Sequence, residues 1–324
     1  MSATTTTTTT TLYGVAATLV QVVLLGLGGP LLVGVMAKVK ARAEGRVGAP
    51  VVQPLRDLRK LLTKERLHAR HASVVLPLAP MVILASTVVA VAISPLVSTH
   101  PLLGSSADIL VIVYLLLTGS AAAALAGLDA GTAFGGMGSS RAMTIGALAE
   151  PALLVAVIAL SIQSGTSNLP SIMSSTLTHP DWVFGPSRLL ALGALLIVVI
   201  AETGRIPVDN PATHLELTMV HEAMILEYAG PELALFSLGE AMRLGLLFSL
   251  VANLFLPWGI MTDHTLLSLL LGTVALVAKT LLVALGVALI EVRSAKLRLF
   301  RLPELLAGGF VLSVLAVVTG LVTR

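Results

Sequence analysis

The sequence predicts an all-α, polytopic membrane protein with about eight transmembrane helices. Three observations carry this. Of 324 residues, 56% are hydrophobic and only 11% are charged, whereas a soluble domain carries roughly 25% charged residues. The apolar residues come in long blocks, and a helix of about 20 such residues spans a bilayer. The blocks do not alternate apolar with polar residues, as a transmembrane β-barrel would require.

The chain opens on MSATTTTTTTT, a low-complexity tract expected to form a disordered tail over residues 1–11. No Lys or Arg precedes Lys38, so the first apolar run reads as a retained span rather than a cleaved signal with a basic start. A single transmembrane domain over 12–324 follows, with apolar segments at 12–37, 74–97, 108–128, 143–163, 188–201, 233–256, 266–290 and 304–322. The fifth is short for a span and is expected to borrow the preceding FGPSR or the start of the carboxylate segment that follows it.

Sixteen of the twenty Lys and Arg lie in the connections after the first, third, fifth and seventh segments. The bias of basic residues toward the cytoplasm therefore places loops 38–72, 129–142, 202–231 and 291–303 inside, with both termini outside. Arg188 and Arg324 fall on the other side, and Arg243 and Lys279 lie within spans. The basic residues are not interleaved with stacking aromatics, so the expected surface partner is the anionic face of a lipid bilayer and not nucleic acid. The chain has no cysteine. That excludes disulfides, thiolate zinc sites and cysteine-held iron–sulfur clusters, so any redox centre must sit on a partner.

Within the first loop, PLRDLRKLLTKE from Pro54 is amphipathic, with Leu55, Leu58, Leu61 and Leu62 on one side. It reads as a surface-lying helix that docks a cytoplasmic partner through Arg56, Asp57 and Lys60. Arg141 adds a basic residue from the third loop, whose stretch DAGTAFGGMGSSR reads as a glycine-rich connection. Neither GGMG nor GLGG at 26–29 follows a strand, so neither reads as a nucleotide loop.

Ionisable residues concentrate in AETGRIPVDNPATHLELTMVHEAMILEY, residues 201–228. Pro207 and Pro211 block a continuous helix from the fifth span. Asn210 reads as a cap for a helix over about 211–228 that ends at AGP. Glu216 and Glu227 are eleven residues apart and so share one face. The series Glu202, Asp209, Glu216, Glu222 and Glu227 continues into the membrane as Glu240, with Lys279 in the next span. A charge within a bilayer costs at least about 2.5–3.5 kcal/mol, so such residues face a cavity or one another. A file of carboxylates balanced by Arg205 and Arg243 is the chemistry of a proton relay, because burial and charged neighbours tune each acid. A solvated charged loop is the plainer alternative. HEAMI lacks the second histidine of a zinc-protease helix, and His214 with His221 offers no further metal ligand, so no metal site is expected.

AETGRIPVDNP followed by HLELTMVHEAMILEY resembles the complex I subunit 1 family, which joins the membrane arm to the hydrophilic arm. It is more similar still to the membrane subunit of group 4 [NiFe] hydrogenases, such as formate hydrogenlyase subunit 4. GRVGAPVVQPLRDLRKLLTKE, GGMGSSRAMTIGAL and EVRSAKLRLFRLPEL extend the resemblance over nearly the whole chain. The resemblance implies eight helices in a bacterial or archaeal cell (inner) membrane. It implies that Glu202, Asp209, Glu216 and Glu227 line a chamber below a partner's last iron–sulfur cluster, that Glu240 continues the line, and that Asp57 matches an acidic loop position. The implied [NiFe] centre and iron–sulfur clusters sit on hydrogenase large and small subunits, beside antiporter-like membrane subunits. Ala212 and His214 replace usual carboxylates of complex I, Val208 replaces a usual Phe, and the 216–227 segment is longer. These departures favour the hydrogenase branch over a quinone-reductase subunit. A stand-alone ion transporter is a third alternative, but no internal repeat supports it.

Overall fold

The computed structural model describes residues 2–67, 72–209, 220–263, 265–297 and 301–323, with side chains from Leu12 onward. Its long helices are α1 (Ser2–Ala43), α3 (Val75–Ile93), α4 (Ile109–Asp129), α5 (Ala133–Ser164), α7 (Pro186–Glu202), α9 (Gly230–Phe255), α10 (Leu266–Arg293) and α11 (Leu302–Val322). Shorter helices are α2 (Gln53–Leu62), α6 (Leu169–Thr178) and α8 (His221–Ile225). The threonine tract forms the start of α1, with its side chains outside the described residues.

Among the described residues, seven helices are long and apolar enough to cross a membrane. The eighth, α7, has 17 residues, a rise of about 25 Å. It gains length by starting at Pro186, and the fixed ring of Pro suits the first turn of a helix.

Eight alternating helices put both chain ends at one end of the bundle. The ends of α1, α7 and α10 and the start of α9 meet at the opposite end. There α9 is the hub: α1, α3, α7 and α10 pack around it, and α2 lies against its first turns. Residues within its apolar window are 78% buried, against 28% in α10 and in α11. The helix α2 has no buried residue and rests against α1 and α9 at this end.

Two expectations change. The stretch 133–141 is not a loop: the turn occupies only Ala130–Thr132, and Thr132 caps α5 by accepting from Gly135 N. Its glycines serve packing. A Cβ on Gly138 would lie 2.8 Å from Ala223 Cβ and 2.9 Å from Val220 O, so the start of α5 can pass α8 only without a side chain. The expected helix over 211–228 is helical at His221–Ile225 where described, and 210–219 lies outside the described residues.

Candidate functional site

Two cavities adjoin at the end of the bundle where α2 lies. The first, about 210 Å³, sits among α4, α5, α7 and α9. Its polar wall is Glu150, Glu202, His221, Glu240 and Arg243. Arg243 donates from Nη2 to Glu202 Oε2, joining α9 to α7. The Arg243 side chain is 5% exposed and that of Glu202 14%. This pair resolves the cost of burying either charge alone. Pro151 follows Glu150 within α5 and lacks an N–H, so it cannot bond the carbonyl of Ala147, which belongs to a residue lining the same cavity.

The second cavity, about 470 Å³, lies among α1, α2, the 203–209 turn, α8 and α9. Lys40, Asp57, Arg205, Asp209 and Glu222 are its charged lining, set against Val33, Leu58, Leu61 and Leu244. His221, Phe236 and Glu240 line both cavities and form the wall between them.

The turn carrying Arg205 and Asp209 is braced from the end of α10. Glu291 pairs with Lys40 at 2.7 Å and with Arg205 at 3.5 Å, and its side chain is 1% exposed. Lys296 pairs with Asp209 at 2.8 Å. Leu297 N donates to Pro207 O at 2.9 Å. Two cations therefore balance Glu291, while Lys296 and His221 flank Asp209. Burial pushes the Asp209 carboxyl up, but the contacts from His221 and Lys296 outweigh it and hold it at about 2.

A carboxylate held below its unfolded value adds stability above that value and loses it as pH falls through the folded one. For Asp209 the window runs from about 4 down to about 2. Asp209→Asn is expected to destabilise the protein at neutral pH by on the order of 2 kcal/mol, with the gap closing across that window. Denaturation midpoints in detergent at stepped pH check this; a gap independent of pH would disprove it.

The structure thus gathers Glu202, Glu240 and Arg243 around one cavity, and Asp57, Arg205, Asp209, Glu222 and Glu240 around the other. Glu227 follows α8, partly buried, and is not in either lining. Glu216 and His214 lie outside the described residues. Arg56 and Lys60 face a separate surface basin beside Arg59, and Arg141 lies on α5 nine residues before Glu150.

Lys279 stands apart from the carboxylates. It donates to Asn253 Oδ1 at 2.6 Å and to the carbonyls of Leu256 and Trp258 at 2.9 and 3.1 Å. Asn253 is thirteen residues beyond Glu240, about 20 Å along α9. Arg188 reaches the same helix end, donating to Leu254 O at 3.3 Å. Two cations therefore serve the negative C-terminus of α9 at the other end of the bundle.

Sequence reasoning misses Glu150, Lys40, Glu291 and Lys296 as site residues. Glu150 carries a usable signal, a carboxylate inside an otherwise apolar span. In the sequence Lys40 and Lys296 mark only topology, and Glu291 stands at the edge of a span with nothing nearby to name its partner. Among the described residues, no three His, Cys, Asp or Glu side chains converge as a metal site.

Comparison with known proteins gives the lineage. Hydrogenase-4 component C of Escherichia coli (strain K12) is 32% identical over 304 residues, covering 94% of this chain and 95% of that protein. Formate hydrogenlyase subunit 4 of the same organism is 30% identical over 303 residues, covering 93% and 97%. The matching subunit of the NADH-quinone oxidoreductase of Rickettsia bellii (strain OSU 85-389) is 27% identical over 208 residues, covering 64% and 60%. A chain in the structure of the membrane-bound sulfane sulfur reductase, an archaeal respiratory membrane complex, shares the fold with a TM-score of 0.84. Its identity is 21%, over 94% of this chain and 98% of that one. The NADH dehydrogenase family profile matches residues 15–322, and the chain belongs to that family.

Proposed function

We propose that this chain is the integral membrane subunit of an energy-converting, membrane-bound hydrogenase complex. It anchors the soluble redox subunits at its inner end and couples their electron transfer to movement of protons, or of sodium ions, across the cell membrane. The relatives named hydrogenase-4 component C and formate hydrogenlyase subunit 4 support the branch. The observation that carries the coupling is the pair of adjoining cavities, with Glu150, Glu202 and Glu240 within the helix bundle and Glu240 in the shared wall. A relay needs groups that hold and release protons within hydrogen-bond or single-water reach, and adjoining cavities lined by carboxylates suit that need.

In this reading α2 and the 203–231 segment receive the partner that carries the iron–sulfur clusters, and the nickel–iron centre lies further out on that partner. Both termini face outward in this reading, which the distribution of basic residues supports. Lys279 acts at the outer end, as a cation on the end of α9 rather than as part of the inner relay.

The test is Glu240→Gln, which keeps size and hydrogen bonding but removes the titrating proton. In inverted membrane vesicles carrying the assembled complex, hydrogen evolution from reduced methyl viologen should continue at a lowered rate. The accompanying ion uptake should fall by at least about tenfold. Normal uptake per hydrogen evolved would make the carboxylates structural and leave the chain a passive anchor. The similarity to the NADH-quinone oxidoreductase subunit supports a second reading, in which the larger cavity admits a quinone. Quinone-dependent turnover of the purified complex would favour it.

A further inference from the structure

The wall between the two cavities is formed by His221, Phe236 and Glu240, and His221 is its titratable group other than Glu240. The ring lies at the start of α8 and lines both spaces. On the side of the larger cavity its Nδ1 stands 3.5 Å from Asp209 Oδ2, and its backbone N donates to the same oxygen at 3.3 Å. Asp209 is in turn held by Lys296. Glu240 and Arg243 approach from α9, Glu202 from α7 and Glu150 from α5, all across the smaller cavity. Glu222 neighbours it on α8, and Arg205 shares the larger cavity.

A second observation shows that the backbone is shaped around this ring. Gly204 has φ +57°, and a Cβ there would lie 2.5 Å from His221 Nδ1 and 2.8 Å from its Cε1. Both the left-handed conformation and the missing side chain are needed for the imidazole to occupy its place. The turn after α7 thus admits the ring on one side while presenting Asp209 to it on the other.

We infer that His221 passes protons between the two cavities, taking one on the Asp209 side and giving it to Glu240 on the other. The inference rests on the proposed coupling role and adds to it the crossing point. An imidazole suits the step because its two ring nitrogens let one face gain a proton as the other loses one, so charge need not accumulate on the ring. Burial opposes the charged ring, but Asp209 and Glu240 outweigh both that and Arg243, and they raise its proton affinity above the ordinary value. The charged form is therefore favoured below the ordinary imidazole value and is given up only as pH rises through the raised one.

The test compares His221→Gln, His221→Ala and Glu240→Gln complexes in the same inverted vesicles. His221→Gln keeps a hydrogen-bonding side chain but cannot titrate near neutrality. It should lower ion uptake per hydrogen evolved by at least about tenfold and flatten its dependence on pH. His221→Ala should do the same, and added imidazole, entering through the larger cavity, should restore uptake. A residue that only packs would not respond to imidazole. Loss in both His221 variants without imidazole rescue and with an unaltered pH profile overturns the inference. Uncoupling by Glu240→Gln with normal coupling in both His221 variants also overturns it, while leaving the proposed function standing. If none of the three uncouples, the proposed function fails and the inference falls with it.

Discussion

Arg243→Leu should destabilise the bundle by about 3–5 kcal/mol, because it leaves the Glu202 carboxylate buried without its cation. The pair joins the middle of α9 to the end of α7, and both side chains are largely withdrawn from solvent. Adding Glu202→Leu removes the orphaned charge, so the double variant should recover most of the loss. Thermal denaturation of the detergent-purified protein measures both. A double variant as unstable as Arg243→Leu would show that the cost lies in lost arginine packing rather than in the unpaired acid.

Gly34→Ala should displace α2 and with it the wall of the larger cavity. A Cβ at Gly34 on α1 would collide with the carbonyl of Val51, just before α2 begins. A backbone carbonyl cannot swing aside as a flexible side chain can, so one element must move. Overpacking of this kind costs about 1–3 kcal/mol. The larger consequence is expected in assembly, since α2 is the surface proposed to receive the soluble subunits. Gly26→Ala on the same helix is the control, since a Cβ there meets nothing within 4 Å. Co-purification of the soluble subunits should fail for Gly34→Ala and persist for Gly26→Ala. Equal recovery from both would disconnect α2 from docking.

The apolar spans are legible because a bilayer imposes one demand, sustained length without charge, and α3 and α4 meet it plainly. The start of α5 is not legible. Its glycines read as a loop by local propensity, and only the passage of α8 beside Gly138 explains why they stay helical. The carboxylates near the fifth and sixth spans can be named from their positions, but not their pairing. Arg243 could meet any of several acids, and its choice of Glu202 depends on how α7 leans on α9. Glu291 and Lys296 elude the sequence for the same reason. Their meaning comes from a turn 80 or more residues earlier in the chain, a contact that no periodicity encodes. Lys279 shows the same limit from the other side, since the sequence groups it with the acids of α9 but does not show the helix end to which it donates.

The unequal burial of the spans bears on how this sequence can drift over time. Positions on α9 touch several neighbours at once, so a change such as Phe248 to a smaller residue leaves a gap that no single partner fills. The outward leucines of α10, among them Leu267, Leu270 and Leu271, meet only what surrounds the bundle. Ile, Val, Met or Phe should serve there almost interchangeably. A saturation library selected for assembled protein should therefore deplete most substitutions along the hub helix while leaving that leucine face diverse. The boundary between the two behaviours would trace, residue by residue, which side of each peripheral helix faces inward.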